Sequence, residues 1–306
     1  ALSNYGYRVL SWPIVHRRHG AAAIMLPMTT QHLPGSPSEI VADWSPGEPP
    51  RHALFDFDGT LSLIREGWPD IMIPLMVEIL AETGTDETPE QLREIATAFV
   101  MELNGKQTIY QMIRLAEEVE RRGGRPRDPL AYKHAYHERL MHRIHARRER
   151  LRDGSDAPSA WLVPGSIRML ELLQAHGVLM YLASGTDEVY VREEVELLGL
   201  NRFFGDHVYG ALDDYRSFSK AQIIARLFTQ QEIPGSALIG FGDGYVEIQN
   251  VREVGGTAVA VASDESSRGG KPDPWKRERL INAGANVVVA DFSEAERLLG
   301  LWWPAS

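Results

Sequence analysis

Short apolar runs that alternate with helical stretches constrain this chain more than any other feature. Ala53-Leu54-Phe55, Val178-Leu179-Met180-Tyr181-Leu182-Ala183, Ala237-Leu238-Ile239-Gly240-Phe241, Thr257 to Ala262 and Asn286 to Ala290 each read as a buried strand. Helical spacing fits Ser166 to His176, Glu188 to Leu198, Ser219 to Gln230, Tyr245 to Val254, Pro274 to Ala283 and Ser293 to Leu299. Strands this apolar are covered on both faces, and strands separated by helices run parallel. The predicted class is α/β, a Rossmann-like parallel sheet with helices on both faces. Ligands bind outside the carboxyl ends of such strands, so functional residues are expected just after each run.

Polar residues do stand there. The first strand, read as His52 to Phe57, leads into Asp56-Phe57-Asp58-Gly59-Thr60. Carboxylates spaced by one residue can share a cation yet do different work; an ordinary Asp-Gly turn is the plainer reading. Ser184-Gly185-Thr186-Asp187 follows the next run, where a hydroxyl and free amides suit an anion or simply cap a helix. Gly242-Asp243-Gly244-Tyr245-Val246-Glu247 sets two acids one helical turn apart, enough to begin an oxygen shell for Mg²⁺ or to serve as cap and surface residue. Lys220 opens a helix, where its charge opposes the macrodipole unless it meets phosphate or an acid; a solvated lysine is the alternative.

The alternation is interrupted once. From about 67 to 157 the chain is almost wholly helical, with Leu75, Ile79, Leu80, Leu92, Ile95, Ala96, Phe99 and Val100 at helical spacing. Thr88-Pro89-Glu90-Gln91 is a helix start, Gly123-Gly124 ends the helix of Ile109 to Arg122, and another helix is expected from Pro129 to Arg150. This divides the chain into an all-helical insert, 67–157, and a core of 51–66 and 158–306. Residues 1–50 carry Pro13, Pro27, Pro34, Pro37, Pro46, Pro49 and Pro50 and read as an irregular extension.

Composition removes other classes. The chain has no cysteine, so disulfides, cysteine nucleophiles and thiolate metal sites are excluded. A net charge of −10 argues against general nucleic-acid binding. No apolar run spans a bilayer. Ala21 to Leu26 follows Arg17 and Arg18 as a signal peptide would, but Pro27 stops it, so the expectation is a non-secreted, cytoplasmic protein.

Asp56-Phe57-Asp58-Gly59-Thr60, Ser184, Lys220 and Gly242-Asp243 with Glu247 resemble, in order, the motifs of the haloacid dehalogenase superfamily. The likeness runs over roughly 52 to 300 and takes in Val163-Pro164-Gly165 and Leu198-Gly199-Leu200 with Phe203-Phe204. Glu247 departs mildly, since Asp is more usual there. Dehalogenating members lack an acid at the position of Asp58, so its presence favours phosphoryl chemistry. Roughly 100 residues follow Asp58 before the next core helix, and 35 lie between Ser184 and Lys220. That placement resembles the subfamily with a helical C1-type cap after the first strand, as in phosphoglycolate phosphatase and β-phosphoglucomutase.

The resemblance implies a Mg²⁺-dependent phosphatase of a small sugar, polyol or glycolate-type phosphate. Asp56 would be the nucleophile and Asp58 the acid/base. Ser184, Gly185, Lys220, Gly59 and Thr60 would bind the phosphoryl group. The Asp56 carboxylate, the Asp58 backbone carbonyl and Asp243 would hold Mg²⁺, with Glu247 in the outer shell. Lys106, Gln107 and Arg65 are the candidates for substrate selection. A phosphomutase and a non-catalytic binding protein of the same fold are the alternatives. Arg121 to Arg152 carries eleven Arg or Lys against three acids, with His134, His137, His142 and His145. These histidines spread too far along a helix to share a metal; a solvated face, then a funnel for anions, are the expected roles. The oligomeric state is left open.

Overall fold

The computed structural model describes residues 29–41, 43–212, 222–223, 225 and 234–304. The predicted parallel sheet is present and larger than expected. Its strands are β1 (Thr30–His32), β2 (Glu39–Val41), β3 (His52–Phe55), β4 (Leu179–Asp187), β5 (Val208–Ala211), β6 (Leu238–Gly242), β7 (Thr257–Val261) and β8 (Val287–Val289). They lie in the order β1-β2-β8-β7-β6-β3-β4-β5. β3 to β8 are parallel, while β2 runs antiparallel to β8 and β1 to β2. The central strand β3 pairs β4 on one side and β6 on the other, with Phe55 level with both Leu182 and Phe241. Residues one or two places beyond those three positions must therefore meet at one edge.

The pleat sorts the core into two layers. Phe55, Ile239, Phe241, Val259, Val261, Val287 and Val289 face one side. Leu54, Tyr181, Ala183, Leu238, Ala258, Ala260 and Val288 face the other. Phe55 and Phe241 stack with centroids 4.5 Å apart, one strand over the other. The second layer is built for close approach: a Cβ at Gly240 would sit 2.3 Å from a Val251 methyl. Val251 is on α8 (Tyr245–Glu253), which presses on this face.

Between β3 and β4 the chain forms α1 (Pro69–Ala81), α2 (Pro89–Glu102), α3 (Thr108–Arg121), α4 (Pro129–Arg152) and α5 (Ser166–Ala175). The first four make the helical insert. Thr88 caps α2 as the sequence predicts: its Oγ1 accepts from Gln91 N at 3.3 Å, and Gln91 Oε1 accepts from Thr88 N at 2.8 Å. Met72, Met76, Leu92, Phe99, Leu115, Tyr136 and Leu140 fill the space between the four helices. The remaining helices are α6 (Glu188–Leu197), α7 (Asn201–Phe204), α9 (Pro274–Asn282) and α10 (Ala295–Leu299).

Three features differ from the sequence reading. Residues 30–41, assigned to an irregular extension, add β1 and β2 to the sheet edge, held by Glu39 against Arg277 Nε of α9 at 2.6 Å. β5 carries too short an apolar pattern to stand out alone. Pairing with β5 also keeps β4 extended through Asp187 across a register shift, so Ser184 lies inside the strand end and not at a helix start. The predicted helix of Ser219 to Gln230 falls largely outside the described residues; Ile223 is buried. Among the described residues no helix is long and apolar enough to cross a membrane.

Candidate active site

The ends of β3, β4 and β6 bring the predicted acids together. Asp56 follows β3, its N–H bonded to Phe241 O at 2.9 Å and its Oδ1 accepting from Phe57 N at 2.8 Å. Asp58 points toward β4. Its Oδ2 accepts from Thr186 Oγ1 at 2.8 Å and, more weakly, from Ser184 Oγ at 3.5 Å. Asp58 Oδ1 accepts no hydrogen bond among the described residues and lies 3.7 Å from Arg65 Nε. Burial pushes the Asp58 carboxyl up to about 6, against the downward pull of Arg65 and of the Thr186 hydroxyl, with Glu194 and Asp243 adding to the rise. A carboxyl so placed holds a proton part of the time near neutrality, as a general acid needs.

Asp243 follows β6. Its backbone N–H donates to Thr60 Oγ1 at 3.0 Å. Thr60 is fully buried, so its hydroxyl positions Asp243 and does not face the cleft. Gly59 has φ +73°, and a Cβ there would lie 2.3 Å from Asp243 Oδ2. Its amide is taken by Ser62 O at 2.9 Å, so the Gly59 N–H is not free for phosphate as the sequence reading had it.

Three residues not singled out in the sequence, Lys276, Glu265 and Ser263, join this cluster. Lys276 on α9 reaches back so that Nζ lies 2.9 Å from Asp243 Oδ2, 2.8 Å from Glu265 Oε1 and 3.2 Å from Ser263 Oγ. Ser263 Oγ in turn donates to Gly59 O at 2.6 Å. Burial alone would push Lys276 down, but Asp243 and Glu265 override it and hold the ammonium well above its ordinary range. Burial moves Glu265 the other way, keeping its carboxyl up. Glu247, expected in the outer shell, stands behind the cleft wall. It is buried and absent from the cleft lining, and its Oε2 turns against Gly244, whose added Cβ would lie 2.3 Å away.

These groups open into a cleft enclosing about 740 Å³ of empty space, open solvent at its mouth included. Asp56, Asp58, Ser184, Gly185, Asp243 and Glu265 form its floor, and Asn104, Lys106, Thr108, Gln111 and Tyr136 of the insert form its roof. The loop between α2 and α3 sits directly on the core: a Cβ on Gly105, at φ +92°, would be 3.1 Å from Gly244 Cα. Lys106 lines the cleft, with Nζ 6.0 Å from the Tyr110 ring centre. Gln107 is buried at the residue just before α3 and is not among the lining residues. Arg65 does line the cleft, held by Glu194 of α6 through Nε at 3.1 Å and Nη2 at 2.8 Å. Burial keeps the Tyr136 phenol protonated, so it offers a donor to the cleft.

The basic stretch has a more specific role than a solvated face or a funnel. Lys133 Nζ and His137 Nδ1 of α4 meet Asp187 at 2.5 and 3.3 Å. Arg148 and Arg152 pair with Glu193, and Arg147 Nη1 donates to Ile64 O and Glu66 O at 2.7 and 2.9 Å. One face of α4 is thus a charged seam that fixes the insert to the core. Lys220, assigned to phosphate binding, lies outside the described residues.

The donor set fits a hard divalent cation. Asp56 and Asp243 supply carboxylate oxygens beside the backbone of Asp58 on one cleft wall. Among the described residues no three His, Cys, Asp or Glu side chains form a metal cage by themselves, and Glu247 stands outside the group.

A family model, haloacid dehalogenase-like hydrolase, matches residues 50–255. No curated protein matches the chain. Solved structures share the fold. β-Phosphoglucomutase from Clostridium difficile has a TM-score of 0.53 at 12% identity, covering 83% of this chain and 97% of its own. A predicted phosphoglycolate phosphatase from Haemophilus somnus has 0.51 at 14%, covering 81% and 97%. CbbY from Rhodobacter sphaeroides, in complex with xylulose-(1,5)-bisphosphate, has 0.50 at 16%, covering 80% and 95%.

Proposed function

The chain belongs to the haloacid dehalogenase-like hydrolase family, and from that premise we propose that it is a Mg²⁺-dependent phosphatase of a small phosphorylated metabolite. The observation that carries this reading is the pairing of two unlike aspartates on one floor. Asp56 has its Oδ1 fixed by a backbone amide, and Asp58 is a buried carboxyl raised to about 6. Asp56 attacks phosphorus and forms an aspartyl-phosphate while the P–O bond to the leaving group breaks. Asp58 gives its proton to the departing oxygen. It then takes a proton from the water that attacks the aspartyl-phosphate, which releases phosphate and restores Asp56.

Ser184 and Gly185 line the floor where the phosphoryl oxygens would rest, and Lys220 is assigned to the same task from its motif position. Asp56, the Asp58 backbone carbonyl and Asp243 would hold Mg²⁺. When bound, the ion neutralises phosphate charge and aligns the in-line displacement. The Gly105 loop sets the roof close over the floor, and the seam of α4 fixes the insert that carries it. Arg65, Lys106, Gln111 and Tyr136 face the part of the substrate beyond the phosphate, and a sugar, polyol or glycolate-type phosphate suits a polar roof of this size. Of the structural relatives named above, CbbY is in complex with a sugar bisphosphate, xylulose-(1,5)-bisphosphate.

The test is release of phosphate from a broad panel of phosphorylated metabolites, with Mg²⁺ and with chelator. Release with Mg²⁺ that the chelator abolishes supports the reading, and no release from any compound contradicts it. A phosphomutase is the second reading, favoured by the roof that the Gly105 loop sets on the core. Isomerised sugar phosphate without free phosphate would decide for it.

A further inference from the structure

Lys276 has no assigned role, yet it is placed on a carboxylate expected to hold the metal. We propose that Lys276 is a positioning residue that sets how tightly Asp243 holds Mg²⁺, with Glu265 as its counterweight. The inference rests on the phosphatase reading of this site.

The geometry carries it. Nζ lies 2.9 Å from Asp243 Oδ2 and 2.8 Å from Glu265 Oε1, so one ammonium is divided between two carboxylates. Gly59 brings both acids to one spot, since its added Cβ would touch Asp243 Oδ2 at 2.3 Å and Glu265 Oε1 at 3.1 Å. Lys276 is itself nearly buried, with 11% of its side chain exposed, so water screens its charge weakly. Its place is fixed by the helix that carries it. Asp273 caps α9, accepting from Lys276 N at 2.8 Å. Further along α9, Arg277 holds Glu39 and Arg279 bonds Met101 O and Glu102 O of the insert. The lysine therefore comes from a helix anchored at three places and is not a wandering surface group.

The consequence is a direction. A cation on Asp243 Oδ2 withdraws negative potential from the carboxylate and repels a second cation brought to it. Glu265 shares the ammonium and lessens that effect. Removing the lysine should tighten Mg²⁺ binding, and removing the glutamate should weaken it. A residue that served only to hold the fold would weaken binding in both cases.

The experiment is calorimetric titration of the full chain with Mg²⁺, without substrate. Lys276→Gln should lower the Kd for Mg²⁺ by roughly tenfold, the order expected for losing one poorly screened charge at contact distance. Glu265→Gln should raise it, and Lys276→Arg should stay near the wild type. The double variant Lys276→Gln/Glu265→Gln removes both charges together and guards against misfolding of the single one; it should bind Mg²⁺ more tightly than Glu265→Gln alone. An unchanged or raised Kd in Lys276→Gln, or a double variant no tighter than Glu265→Gln, overturns the proposal. If the wild type binds no Mg²⁺, the phosphatase reading itself fails and this proposal falls with it.

Discussion

Thr186 Oγ1 donates a 2.8 Å hydrogen bond to Asp58 Oδ2, so the proposed acid/base is aimed by a residue of the neighbouring strand. This bond favours the charged carboxylate and opposes the rise that burial imposes. Thr186→Val removes it and leaves the carboxyl protonated to higher pH. The alkaline limb of kcat/KM should move up, and kcat should fall by about tenfold as a general acid loses its alignment. A pH–rate profile checks both; an unmoved limb contradicts the assignment.

Asp58 also makes stability depend on pH. Its ordinary value of 3.8 is raised to about 6 in the fold, so the folded protein binds this proton more tightly than the unfolded chain. Stability from this group is complete below 3.8 and is lost as pH rises through about 6. Asp58→Asn removes the loss. Its melting temperature in chelator should match the wild type at low pH and exceed it at high pH, by a free energy of at most about 3 kcal/mol.

The seam between α4 and the core gives an ordered pair of effects. Lys133 is 3% exposed at its side chain and its partner Asp187 is 15% exposed. Asp187→Ala removes the carboxylate that Lys133 and His137 share across the seam and should cost roughly 1.5–3 kcal/mol in denaturant unfolding. Lys133→Met should cost less, because Asp187 keeps His137 as a partner and has some access to water. The reverse order would show that the seam does not depend on the buried charge.

Gly105 tests the roof. Its φ of +92° is one that a side chain strains, and a Cβ there would press on Gly244 Cα at 3.1 Å. Gly105→Ala should lower kcat/KM by about tenfold through misplacement of the loop and lower the melting temperature slightly, since Ala is strained at a positive φ. A normal kcat/KM would show that the roof need not seat there.

Much of this was legible in the sequence because strand ends leave a local signal. Asp56, Asp58, Ser184 and Asp243 each follow an apolar run, and the order of the strands brings those ends together. Thr88 and Pro89 likewise announce α2. What was hidden depends on contacts across the fold. Lys276 comes from a helix after β7 and carries no spacing that ties it to Asp243. Glu265 lies in a loop that reads as polar surface. Thr60 ends the motif assigned to phosphate in the sequence, yet β6 brings the Asp243 amide to its hydroxyl. The charges of α4 resemble a solvated face because their partners, Asp187 and Glu193, are remote in sequence. Strands β1 and β2 are too short to show a period, and they form because β8 offers an open edge.

The central claim is that Asp56 carries the phosphoryl group during turnover. Once a substrate is found, the direct measurement is the mass of the peptide containing Asp56 after rapid acid quench of the working enzyme. The account predicts a fraction heavier by one phosphoryl group, absent without substrate and absent in Asp56→Asn, which should fold normally and turn over nothing. An unmodified peptide throughout the steady state, or full activity in Asp56→Asn, would contradict it.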